Sequence, residues 1–108
     1  MIACCMSIDA KLPFYPADSP AADLYLPGPI ALEEGLHDLE LEVVVEFPAG
    51  FHGELFPGVA GVQPAVVGNG PVRVRLQVFP GQSIVLPKHH VIARLVARRT
   101  ERVPFRSI

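Results

Sequence analysis

Hydrophobic and polar residues alternate with a period of two in two stretches of the chain. In residues 39–47, Leu39, Leu41, Val43, Val45 and Phe47 fall on one side, and Glu40, Glu42 and Glu46 on the other, with Val44 the only misfit. Residues 72–79 alternate in the same way. This period is that of a strand with one buried and one wet face. Shorter apolar runs predict strands at 2–8, 23–26, 30–32, 51–56, 65–67 and 83–86, the first of them an edge strand. Pro48-Ala49-Gly50 predicts a turn with residues 51–56 as the hairpin partner of 39–47. Gly68-Asn69-Gly70 predicts a second hairpin turn, because Asn and Gly tolerate positive φ. Pro13, Pro16 and Pro20 make residues 12–20 an extended or turning segment.

Residues 91–99 fit two patterns. Ile92, Leu95 and Val96 would share a helix face, while Val91, Ala93, Leu95 and Ala97 would share a strand face. The segment is short and follows a run of strands, which favours a strand. The turn-punctuated spacing as a whole predicts an all-β fold, a small β-sandwich or jelly-roll barrel. One domain spans residues 1–108, with an N-terminal edge segment at 1–11 and a C-terminal tail at 100–108.

Composition agrees. Twelve prolines and nine glycines in 108 residues exclude a helix bundle, and 50% hydrophobic with 19% charged residues excludes a disordered chain. The longest uncharged stretch, residues 55–72, is broken by three prolines, so no membrane span is predicted. The only cysteines, Cys4 and Cys5, are neighbours that rarely bridge each other, which predicts free thiols in a reduced, intracellular protein.

The net charge of −2 gives no general attraction to nucleic acid, but it is unevenly spread. Residues 1–54 hold ten acids and one base (−9), and residues 55–108 hold eight bases and one acid (+7). Cross-strand pairing of an acidic first half with a basic second half accounts for the split. The rival reading is a basic interaction surface built from Arg94, Arg98, Arg99, Arg102 and Arg106, whose bland counterpart is solvated charge or pairing between subunits with Glu40, Glu42 and Glu46.

Tests for chemistry are mostly negative. His89 and His90 are adjacent, so on a strand they face opposite sides and cannot both hold one ion; no metal site is predicted. Gly81-Gln82-Ser83-Ile84-Val85 lacks the second glycine of a nucleophile elbow, and Cys4 and Cys5 have no local histidine to activate them. Gly68-Asn69-Gly70-Pro71 has no following lysine and fails as a phosphate loop.

Four stretches in order resemble the trimeric dUTP pyrophosphatase (dUTPase) family. Ser19-Pro20-Ala21-Ala22-Asp23-Leu24 is similar to its first motif, Pro57-Gly58-Val59-Ala60 to its second without the arginine and serine, and residues 88–96 to its fourth. Residues 47–55 are similar to the turn preceding the second motif. The resemblance implies a dUTPase-like jelly roll. It implies a nucleotide and metal remnant at Asp23, Gly58 and Arg94, where Asp23 matches the aspartate that helps hold metal-bound phosphates. In the fourth motif the family's glycine and aspartate fall on His89 and His90, and its glutamine on Arg94.

The departures fall on the chemistry. The family's third motif supplies a water-activating aspartate and a tyrosine that packs on the deoxyribose; here residues 66–72 hold neither. No glycine-rich closing arm follows the fourth-motif match. The expectation is therefore no catalytic residue and no cofactor, with Mg2+ required only if the chain is an active or divergent dUTPase working through Asp23 and His90. The chain is most similar to the non-catalytic adenoviral early-region-four first-frame proteins. That implies an adaptor for host proteins in growth and survival signalling, a homo-oligomer (trimer or dimer), located in the host cytoplasm or nucleus. Some such proteins end in a PDZ-binding tail; here Ile108 suits a PDZ pocket while Arg106 replaces the usual hydroxyl residue, with Ser107 between them. A disordered tail and a purely structural β-sandwich module are the competing readings.

Overall fold

A computed structural model describes residues 1–100 of the chain. It contains nine strands and no helix among those residues: β1 (Ile2–Cys5), β2 (Ala21–Tyr25), β3 (Ile30–Leu32), β4 (Gly35–Glu46), β5 (Phe51–Pro57), β6 (Ala65–Val67), β7 (Gly70–Val78), β8 (Ile84–Leu86) and β9 (Val91–Arg99). One sheet has the order β1-β4-β7, a second the order β2-β9-β5-β6, and β3 and β8 form a separate ribbon. All pairings are antiparallel. This is the expected all-β sandwich, and no described helix is long and apolar enough to cross a membrane.

The core lies between the two larger sheets. Leu41, Val43, Val45 and Phe47 meet Val72, Val74, Leu76 and Val78 from the first sheet, and Leu24, Leu55, Ile92 and Leu95 from the second close over them. No polar or charged described residue is buried. Residues 91–99 form a strand, and the pattern places it at the centre of its sheet, where Ile92, Ala93 and Leu95 are fully buried.

The alternation in residues 39–47 survives an irregularity it did not announce. Glu40 pairs with Arg73, but Val44 pairs with Pro71, so the register slips by two residues across a bulge. An even slip leaves every side chain on its original face. Glu42 takes the strain at the bulge with φ of 58°.

Both predicted hairpins are corrected. β4 and β5 lie in different sheets, as do β6 and β7, so residues 48–50 and 68–70 are corners that carry the chain from one sheet to the other. Sandwich connections of this kind separate strands that are neighbours in sequence, which turn chemistry alone does not reveal. The role given to Asn69 also changes. Gly70 has φ of +130°, but Asn69 is not among the positive-φ residues. Instead its Oδ1 accepts the backbone N–H of Phe47 at 2.7 Å, stitching one corner to the other.

Candidate functional site

The second sheet gathers the residues singled out from the sequence. β9 lies between β2 and β5, and Arg94 sits opposite Asp23 on one side and Phe56 on the other. The Arg94 Nε donates to Asp23 Oδ1 at 3.3 Å. The Asp23 carboxylate is largely covered, with its side chain 17% exposed against 57% for Arg94. Two residues along β2, burial and the nearby Asp23 charge push the Tyr25 phenol up from its ordinary range. The Lys11 ammonium stands 4.1 Å over the Tyr25 ring, a cation–π contact.

Gly58 follows β5 and presses against β9. Its N–H donates to Ile92 O at 3.1 Å, and a Cβ there would come within 2.9 Å of the Ala93 nitrogen. That amide is spent inside the fold, so Gly58 holds two strands together and offers no donor to a phosphate. The glycine requirement here is one of space.

Farther along β9, Arg98 is ion-paired with Glu54 on β5. His52 completes the group, with Nδ1 2.9 Å from the Thr100 hydroxyl and Nε2 3.5 Å from Glu54. Arg99 lies over the Phe51 ring at 5.8 Å. Arg102, Arg106, Ser107 and Ile108 lie outside the described residues.

The charge asymmetry resolves into pairs. Arg73–Glu40, Arg75–Asp38, Lys88–Asp9, Arg94–Asp23 and Arg98–Glu54 each join an acid of residues 1–54 to a base of residues 55–100. Three of these also follow strand register or lie directly across it: Asp38 faces Arg75, Glu40 faces Arg73 and Asp23 faces Arg94. The Arg75 hydrogen bond holds the Asp38 carboxyl below the usual range, and Asp38 in turn raises Arg75. Of the five arginines named for a basic interaction surface, pairing takes up Arg94 and Arg98, while Arg99 lies over Phe51.

The region matching the family's third motif borders a cavity of about 310 Å³, lined by Ala65, Val66, Val67, Gly68, Asn69, Pro71 and Arg73. No carboxylate lines it. Its one ionisable side chain, Arg73, is 3.4 Å from Glu40. Among the described residues, no three His, Cys, Asp or Glu side chains converge on a point.

Sequence reasoning missed a clasp at the β8–β9 turn. Lys88 binds the Asp9 carboxylate at 3.0 Å and the His89 ring Nε2 lies 2.9 Å from the Asp9 carbonyl oxygen, fastening the N-terminal segment. His89 has φ of +62°, the left-handed conformation that glycine adopts without cost. The signal was available: the fourth-motif resemblance places a glycine at that position.

No protein-family model matches the chain, and no curated protein matches it in sequence. Solved structures do match. A mutant dUTPase from phage phi11 of S. aureus, solved for its coordination of a structural Mg(II) ion, superposes with a TM-score of 0.84 at 12% identity, covering 99% of this chain and 95% of that one. A mutant of the Staphylococcus bacteriophage 80alpha dUTPase with dUpNHpp gives a TM-score of 0.82 at 14% identity, over 99% and 86% of the two chains. The fold is dUTPase-like.

Proposed function

We propose that the chain is a non-catalytic, dUTPase-like viral accessory protein that acts as an adaptor for host proteins in growth and survival signalling, within the host cytoplasm or nucleus. The observation that carries the loss of catalysis is the lining of the β6–β7 cavity, which holds no carboxylate. Hydrolysis at phosphorus needs a water oriented beside a base within hydrogen-bond reach, and charge neutralisation on the phosphates. Asp23 is the one carboxylate among the remnant residues, its Oδ1 accepts from Arg94, and among the described residues no further carboxylate, histidine or cysteine pair joins it to make a three-ligand group. That set does not fit a resident Mg2+, and no step is derived through one.

Binding is the role left to such a scaffold. Among solved relatives of this fold, phage dUTPases are described as controlling transfer of virulence genes by a proto-oncogenic G protein-like mechanism, a regulatory use of the same architecture. The adaptor surface in this reading is the outer face of the second sheet, where Phe56 and Val66 are exposed beside the ion-paired Arg94 and Arg98. Self-association as a homo-oligomer and PDZ binding through residues 106–108 belong to the same proposal.

The test is incubation of purified protein with dUTP and Mg2+. No pyrophosphate release above the uncatalysed rate is expected, for the wild type and for Asp23→Ala alike. Release by the wild type that Asp23→Ala abolishes would overturn the proposal in favour of a divergent dUTPase.

A further inference from the structure

The first strand presents an unguarded edge. β1 pairs with β4 on one side and has no partner on the other among the described residues. Natural edge strands are blunted by charge, proline or a covering segment. Residues 1–8 contain neither a charged residue nor a proline. Their even positions form an apolar row open to solvent: Ile2 is 71% exposed, Met6 58% and Ile8 99%, with the Cys4 thiol exposed between them. Their odd positions face inward, and Met1 and Ala3 pack against the core.

The backbone says which peptide groups are free. The Met6 N–H donates to Glu42 O at 2.7 Å, continuing the register in which Ile2 faces Glu46 and Cys4 faces Val44. In an antiparallel strand the two peptide groups of a residue point to the same side, and successive residues alternate. Even residues therefore spend their N–H and C=O on β4, and Ala3 and Cys5 turn theirs to the open edge.

We propose that this edge pairs with the β1 of a second copy, antiparallel about a two-fold axis at Cys4. The occupant follows from self-complementarity. Groups aimed outward must meet groups aimed outward, so odd residues face odd residues. Centring the pair on Cys4 sets Ala3 against the partner copy's Cys5 and Cys5 against its Ala3, which satisfies both outward residues of the strand in each copy. Centring on Ala3 or Cys5 would bond one of them to a residue outside the strand. The same register sets Ile2 against Met6, so the two exposed apolar rows become one. The β1-β4-β7 sheet then runs unbroken through both copies as six strands. Cys4 faces Cys4 as a non-hydrogen-bonded pair, where Cα atoms approach to about 4.5 Å, inside the range a disulfide spans. This contact rests on the self-association included in the proposed function, and the oligomer assays below read it separately from the dUTP assay that tests the loss of catalysis.

The test follows from the two classes of peptide group. Ala3→Pro removes an N–H that the single copy does not use, so β1 keeps its ladder with β4 while the edge is blocked. Under reducing conditions at micromolar concentration, sedimentation is expected to show a dimer. Ala3→Pro removes two hydrogen bonds per dimer and weakens association by roughly tenfold or more. Oxidation with copper phenanthroline is expected to link two copies, two Cys4 thiols yielding one disulfide while two copper(II) ions take one electron each and solvent takes the protons. Cys4→Ser abolishes that link, and Cys5→Ser does not. Ile2→Lys, checked by circular dichroism, blocks the edge independently should Ala3→Pro fail to fold. A wild-type monomer, a link through Cys5, or an assembly such as a trimer that neither blocking variant alters would overturn the proposal.

Discussion

Replacing Asn69 by alanine isolates the stitch between the two sheet-crossing corners. The side chain accepts one bond, from the Phe47 N–H at 2.7 Å, and Phe47 itself is 7% exposed. Leaving a buried donor without a partner costs about 1–3 kcal/mol. Asn69 is exposed, so water reaches its end of the bond and the low end of that range applies, about 1 kcal/mol. For a domain of this size such a loss lowers Tm by roughly 4–8 °C. Asn69→Asp keeps an acceptor at the same place and is expected to stay within about 0.5 kcal/mol of the wild type. The assay is urea unfolding followed by far-ultraviolet circular dichroism, since the chain contains no tryptophan. The midpoint should fall for Asn69→Ala with the slope unchanged. Equal losses for the alanine and aspartate variants would show that the residue acts through backbone preference and refute the hydrogen-bond account.

Gly58→Ala forces a methyl within 2.9 Å of β9 backbone and is expected to destabilise by about 1–3 kcal/mol, read from the same unfolding midpoint. Asp38 contributes to the pH dependence of stability with a definite sign. Its folded-state pKa is lowered by Arg75, so its contribution is fully present above the unfolded carboxylate range and is lost as pH falls through the lower folded value. Asp38→Asn should lower stability at neutral pH, leave it unchanged below the folded value, and so flatten the acid limb of a stability-versus-pH curve; an unaltered acid limb would count against the pair.

Much of the fold was legible because burial on one face imposes a period. Residues 30–32 and 65–67 were placed with their observed bounds, and β4 and β7 followed from alternation of large apolar residues with acids or arginines. β4 begins four residues earlier than its alternation announced, since Gly35, Leu36 and His37 are only partly covered or exposed and carry no clear pattern. Which strands pair was not legible. A corner and a hairpin use the same Pro, Gly and Asn residues, and only the packing of two sheets distinguishes them. The opposition of Asp23 and Arg94 needed the register of strands 71 residues apart. The clasp on Asp9 needed the path of residues 6–19, a segment without hydrophobic period.

The pairing of early acids with late bases reaches back to how the chain is made. The β4–β7, β3–β8 and β2–β9 ladders each wait for a segment beyond residue 69, and the second sheet lacks its central member until residues 91–99 have been synthesised. A nascent chain therefore leaves the ribosome with its early strands unclosed and carrying excess negative charge. Arrival of the positively charged remainder supplies both the missing neighbours and a long-range attraction toward them, so the sandwich closes only once residues 91–99 have emerged.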